Sequence, residues 1–168
     1  MTQWNIDPGH SQIGFKVKHL GIANVSGYFR KFSGTVQTNN DTFQQAVITF
    51  SLEVQSIDTN NTERDGHLTS NIFFDAVQFP VITFSGILDN DTLKGSLTIL
   101  NTTRPVTLQV EHTGSGIGRF NDYRAGFELN GKINRKDFGL NFHLLNDAGN
   151  LIVGDDVKLS GEIELIRI

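Results

Sequence analysis

An antiparallel all-β fold, either a closed barrel or a sandwich, carrying one short helix, is what this sequence predicts. Three observations lead there. Most of the chain alternates apolar and polar side chains two by two, the mark of half-buried strands. Turn residues such as Asp7-Pro8-Gly9, Asn39-Asn40-Asp41 and Asp89-Asn90-Asp91 separate these runs. The alternation gives way to helical spacing in one stretch, residues 63–80.

The first strand covers residues 3–6. Residues 11–18 then set Ile13, Phe15 and Val17 against Gln12, Lys16 and Lys18. Residues 25–32 continue the pattern, and Gly27 and Gly34 mark bends or bulges of the kind a barrel needs. The longest signal follows, with Ala46, Ile48, Phe50, Leu52 and Val54 on one face. Strands over 81–88 and 93–100 flank a hairpin turn at 89–91. Thr102-Thr103-Arg104-Pro105 reads as a turn, and Val106, Leu108 and Val110 as the next strand. The glycine-rich residues 114–118 read as a loop between strands. A strand over 123–133 precedes a polar break at 134–138 with room for one helical turn. Residues 140–144 carry no decisive period, and Asp147, Gly149 and Asn150 are turn residues. The last strand places Val157, Leu159, Gly161, Ile163 and Leu165 on one face. No linker, low-complexity segment or internal repeat divides the chain, so residues 1–168 read as one domain.

The stretch 63–80 organises the rest. Arg64, Asp65 and His67 lead into Leu68, Ile72 and Phe73. Leu68 and Ile72 are four apart, one face of a short helix. Thr59, Asn60, Asn61 and Thr62 are candidate N-caps, and Glu63 and Asp65 suit a first turn. Gly66 keeps the helix short. Pro80 holds Phe79 extended and opens the next strand. The segment reads as a lid at the mouth of a barrel, or as a crossover helix plugging one end.

Composition excludes several classes. A formal net charge of −4 argues against a phosphate-tracking nucleic-acid binder. The lack of cysteine removes disulfides, thiolate metal sites and cysteine nucleophiles. No apolar run approaches the ~20 residues of a membrane span, and MTQWNIDPGH has no signal-peptide pattern. The expected location is therefore cytoplasmic, or periplasmic if a signal peptide has been removed. Thirteen Phe against two Tyr and one Trp suit a dry interior, since Phe brings no polar group to satisfy. That interior is either a Phe-rich core or a cavity for a long apolar ligand.

Several blocks recur in an order and spacing that together are specific. They are Trp4 with Ile6-Asp7 and His10-Ser11; Phe15 through His19; Gly27, Phe29 and Phe32; Ser56-Ile57-Asp58-Thr59; and Arg64-Asp65 with His67-Leu68. Phe73-Phe74-Asp75, Phe79-Pro80, residues 95–99, Thr103-Arg104-Pro105-Val106, Arg135 with Asp137-Phe138-Gly139, and Val153-Gly154 with Val157 complete the set. With these the chain resembles the YceI-like family of lipocalin-like polyisoprenoid-binding proteins nearly end to end. It departs at Asn101, where the family pattern has glycine; Asn tolerates a left-handed turn, so the turn is expected to survive. The resemblance implies a lipocalin-like antiparallel β-barrel of about eight strands, usually a homodimer. It also implies an elongated apolar tunnel for an isoprenoid such as a quinone tail or polyprenyl phosphate, or for an acyl lipid. A non-catalytic role in storage or transport, with a link to stress response, comes with it, and no cofactor beyond the bound lipid.

The candidate tunnel residues are Phe15, Phe29, Phe32, Phe50, Phe73, Phe74, Phe79, Phe84, Phe138 and Phe142, with Phe73, Phe74 and Phe79 first among them. The candidate polar mouth is Arg64, Asp65 and His67, with His10 and His19. Arg offers a planar, permanently charged fork for a phosphate or quinone head; the alternative is an anchor tying the helix to the barrel. An enzyme acting on such a lipid through His10, His67 and nearby carboxylates is the competing reading. Ser11 has no Gly-x-Ser-x-Gly frame for a nucleophile. A polar network closing one barrel end, with Asp7 and Ser11 bonding turn amides, explains it better. The five histidines show no metal-ligand spacing. A third reading is a filled barrel with no ligand.

Overall fold

The computed structural model describes residues 1–141 and 153–168, and its strands form one antiparallel sheet closed on itself. The strands are β1 (Thr2–Ile6), β2 (Gln12–His19), β3 (Ala23–Phe29), β4 (Phe32–Thr38), β5 (Ala46–Glu53) and β6 (Ile57–Asp58). After helix α1 (Thr62–Thr69) come β7 (Val81–Asp89), β8 (Thr92–Ile99), β9 (Thr102–Ile117), β10 (Tyr123–Asn134) and β11 (Val153–Arg167). The ring runs β1-β4-β5-β7-β8-β9-β10-β11 and returns to β1, which makes an eight-stranded barrel. β2, β3 and β6 continue β1, β4 and β5 past short interruptions. β2 pairs with the first half of β11, β3 with β2, and β6 with β3.

Those interruptions have local causes. Asp7 accepts the Gly9 amide at 3.0 Å and caps a 3₁₀ turn at Pro8–His10. Ser11 Oγ accepts the Glu164 amide at 2.9 Å, which ties the break to β11. The alternation over 25–32 predicts one strand, but the chain breaks at Arg30 and Lys31. Their backbones turn aside to bond Ser56 and Glu53, where the neighbouring strand is interrupted too.

Two predicted turns move. Residues 102–105 belong to β9, and the turn is Leu100–Asn101, with Leu100 and not Asn101 in the left-handed region (φ 56°). Pro105 is tolerated because β9 pairs only with β8 there; β10 joins from Gln109 onward, so the missing amide faces no strand. Residues 114–117 are strand as well, paired to β10 across a bulge beside Gly126. The ladder ends at Ile117 and Tyr123, so the loop shifts to 118–122. Gly27 and Gly34 carry no bulge. Both sit in regular ladders, and a Cβ at Gly27 would lie 2.3 Å from the Phe15 ring, which occupies that space.

α1 is capped by Asn61, which accepts the Arg64 amide at 3.0 Å. It ends at Thr69, so Ile72 lies beyond it and is exposed rather than stacked on Leu68. The predicted turn at 134–138 forms a 3₁₀ segment, Arg135–Phe138, capped by Asn134. The expectations for Phe142, Asp147, Gly149 and Asn150 fall outside the described residues. Buried side chains form two clusters along the barrel, one around Trp4, Phe43 and Phe127, the other around Val54, Ile57 and Phe138.

Candidate functional site

One end of the barrel is stoppered by rings. Trp4, fully buried, lies 5.0 Å from Phe43 and 5.8 Å from Tyr123, and Phe43 meets Phe127 edge-on at 4.9 Å. His112 stacks on Phe127 at 4.8 Å. The rings come from β1, the loop before β5, β9 and β10, so the stopper also locks the closure of the barrel. Beyond it the strands enclose a cavity of about 280 Å³.

The period-two pattern builds the cavity wall. Inward positions of β5 and β7 give Ile48, Phe50, Ile82 and Phe84; those of β10 and β11 give Leu129, Ile133, Val157 and Leu159. Leu68 of α1, with Phe73 and Phe74 after it, completes the wall where β6 has no further strand beside it. Phe74 meets Phe29 edge-on at 6.3 Å. The wall is almost wholly hydrocarbon. Its one charged member among the described residues, Arg135, is 4% exposed and committed to protein: Nη1 donates to the Leu140 carbonyl at 2.6 Å, Nε to the Gly154 carbonyl at 3.0 Å, and Nη2 meets Asp155 at 3.2 Å. Asn130 and Ser160 are the other polar residues on the wall among the described residues, and a space of this kind can hold an apolar chain.

The structure brings Phe15, Phe29, Phe50, Phe73, Phe74 and Phe84 onto the wall. Phe32 packs against Phe50 at 6.0 Å and stands outside it. Phe138 is consumed by the core beside Val54 and Ile57, and Phe79 lies half-buried in the turn before β7. Phe142 lies outside the described residues. Phe43 and Phe127 line the wall without having been singled out. Phe43 follows a turn and takes a left-handed φ of 61°, so no strand pattern marks it. Phe127 sat in the inward register of the predicted strand 123–133 and was legible there.

None of the candidate mouth residues lines the cavity. Arg64 donates to Thr59, Nε to its hydroxyl at 2.8 Å and Nη2 to its carbonyl at 2.6 Å. Asp65 accepts the Thr59 amide at 2.9 Å and its hydroxyl at 2.5 Å. Both side chains thus clamp a buried threonine between β6 and α1. His67 lies edge-on to Phe73 at 5.5 Å. His19 ends β2, opposite Val153. His10 is exposed and bonds Asp7 at 2.8 Å.

Asp7 belongs to a second cluster, outside the barrel at the stoppered end. Asp7, His10 and Glu164 bring ligand atoms within 4.8 Å of one another, a spacing a metal ion would accept. Arg124 already fills that role: its guanidinium meets Asp7 at 2.7 Å, Glu164 at 2.5 Å and Asp122 at 2.7 Å. The Arg124 hydrogen bond is the main reason the Asp7 and Asp122 carboxyls titrate below their ordinary range, and the carboxylates in turn raise the guanidinium.

Known proteins share this architecture. The family model described as a YceI-like domain matches residues 4–165. A UPF0312 protein of Staphylococcus epidermidis is 34% identical over 166 residues, 98% of this chain and 97% of its own length. Among solved structures, Burkholderia cenocepacia BcnA superposes with a TM-score of 0.79 at 22% identity, covering 95% of this chain and 98% of that one. A polyisoprenoid binding domain from Saccharophagus degradans, implicated in plant cell wall breakdown, superposes at 0.73 with 13% identity, covering 98% of each chain. Sequence match and barrel agree from the first strand to the last, and the chain belongs to the YceI-like domain family.

Proposed function

We propose that this protein binds, and stores or carries, a long-chain isoprenoid of the quinone or polyprenyl phosphate type, or an acyl lipid, without transforming it. The observation that carries the reading is the hydrocarbon wall of the cavity. Along β11 that wall runs from Val157 to Leu165, about 26 Å at ~3.3 Å per residue. Allowing for a strand tilt of about 40°, that is about 20 Å along the barrel axis. Half a bilayer's hydrocarbon core is about 15 Å, so the wall is long enough for a long isoprenoid or acyl chain to lie extended along it. Burial of such a chain gains about 25 cal/mol per Å² of apolar area, and the wall discriminates poorly between chains of similar girth. The Saccharophagus domain described as polyisoprenoid-binding shares this barrel, which supports the same ligand class. The family resemblance extends the reading to a homodimer.

Native mass spectrometry of the purified protein, with organic extraction of what rides along, tests this. A discrete added mass that extracts as an isoprenoid or acyl species is the expected result, and the same spectrum counts subunits. A bare mass that also refuses added quinone and polyprenyl phosphate refutes it.

A further inference from the structure

The cavity wall reaches Val153, which pairs with His19 at the last rung of β2. Two features outside the cavity meet at that end. The loop between β2 and β3, residues 20–22, places aliphatic side chains in water: Ile22 is 85% exposed and Leu20 40%. Turn positions of this kind ordinarily take Gly, Asn or Asp. Leu20 instead holds a left-handed φ of 54° with an aliphatic side chain.

Beside the loop stands a row of lysines. The register sets Lys132 opposite Lys158, and Lys158 opposite Lys16, all exposed on the outer face. Lys18 is one outward position nearer the loop. Like charges directly opposite on neighbouring strands repel. Lys132 has Asp156 at 3.7 Å with both side chains exposed; Lys16, Lys18 and Lys158 have no carboxylate partner among the described residues. Farther from the loop the same face carries an acidic row, Glu111, Glu128 and Glu162, also in register. On a chain of net charge −4, four lysines against the exposed Asp156 leave this face net basic toward the loop, and it is acidic away from it.

We infer that this end docks on an anionic lipid surface, with Leu20 and Ile22 entering the headgroup boundary and the lysine row lying against it. From Leu20 to Lys16 the strand spans about 13 Å. Interfacial apolar anchors sink about 5–10 Å, which brings the row within the ~8 Å Debye length of physiological salt. The pairing of features selects the partner. A nucleic acid would engage the lysines and ignore the aliphatic loop. A second copy of the chain would set the lysines against its own acidic row and leave the loop in water. The opposite end also exposes an aromatic, Phe120, under the Arg119 guanidinium, and it serves as the control.

The test is flotation with vesicles of phosphatidylcholine containing one third phosphatidylglycerol, and with phosphatidylcholine alone. The wild type floats with the anionic vesicles and far less with the neutral ones. Leu20→Ser with Ile22→Ser lowers partition by about tenfold or more. Lys16→Gln and Lys158→Gln lower it about fivefold per charge. Phe120→Ser leaves it unchanged, and all these exposed-site variants keep the wild-type melting temperature. A wild type that ignores anionic vesicles overturns the inference. So does a loop variant that floats like the wild type, or a Phe120→Ser variant that does not float. A dimer on size exclusion that the lysine variants dissociate, without vesicle binding, assigns the row to a second copy and overturns it too. The inference does not depend on the carrier reading: a protein that floats yet holds no lipid keeps the one and loses the other.

Discussion

Replacing Val157 by Phe separates a hollow barrel from a filled one by the sign of its effect. Val157 lies between Ile133 and Val17 across the ladder, and all three line the cavity. A well-packed core answers an inserted ring by losing about 1–3 kcal/mol. A void answers the other way. Residual cavity costs about 24 cal/mol per Å³, so an empty space of about 280 Å³ withholds up to about 7 kcal/mol. A benzyl group in place of isopropyl fills roughly 50 Å³ and recovers about 1.2 kcal/mol. At about 2–4 °C per kcal/mol for a chain of this size, the lipid-free variant melts about 3–5 °C above the lipid-free wild type. It also holds less ligand. The assay is scanning calorimetry of both proteins after organic extraction and refolding, with polyprenol uptake weighed by native mass spectrometry. A melting temperature that falls by several degrees, with uptake unchanged, refutes the hollow barrel and the functional argument built on it.

Other outcomes follow from the polar clusters and the stopper. Asp65→Ala leaves the buried Thr59 amide and hydroxyl without their acceptor, so stability falls by about 1–3 kcal/mol in urea titration while lipid uptake stays at the wild-type level; lost uptake in a fully folded variant returns Asp65 to the ligand site. Asp7 and Asp122 titrate low in the folded protein, chiefly because Arg124 bonds them. A depressed carboxylate stabilises above its unfolded value, near 4, and that contribution is lost as pH falls through the folded value. The wild type therefore loses melting temperature on acidification below about pH 4, whereas Arg124→Met melts lower at pH 7 and depends less on pH in the acid range; parallel pH profiles sink this account. Trp4→Ala removes the largest member of the stopper and costs about 3–5 kcal/mol, read by chemical denaturation. Gly95→Val forces a Cβ to within 2.2 Å of the Ser85 carbonyl, so the variant is recovered unfolded or not at all, as circular dichroism would show.

The strands were legible because the wall needs an apolar residue at every second position, and Ala46 through Leu52 or Val157 through Leu165 carry that demand openly. The cap of α1 and the turn at 134–138 were legible because side chains that bond their own backbone act locally. What could not be read depends on partners remote in sequence. Pro105 looks like a turn residue until one knows that β10 is not yet beside it. Residues 114–117 look like a loop until a bulge at Thr113 of β9 brings them into register with β10. Arg64 and Asp65 have the chemistry of a ligand site, and only the position of Thr59 gives them another use. Counting phenylalanines found only a small part of the wall; most of it is Leu, Ile and Val, whose types mark a core and a cavity alike.

β11 takes two partners from early in the chain, β2 along residues 153–162 and β1 at residues 165–167. The seam of the barrel thus joins the first part of the chain to the last. Contacts so distant in sequence are slow to form, and here no shorter segment can supply them. During synthesis every other strand can pair with its neighbour while the chain grows, but the interior stays open to water until β11 has emerged. The enclosed space is therefore a product of the pairing of β11, and any cargo enters a barrel whose closing strand is already made.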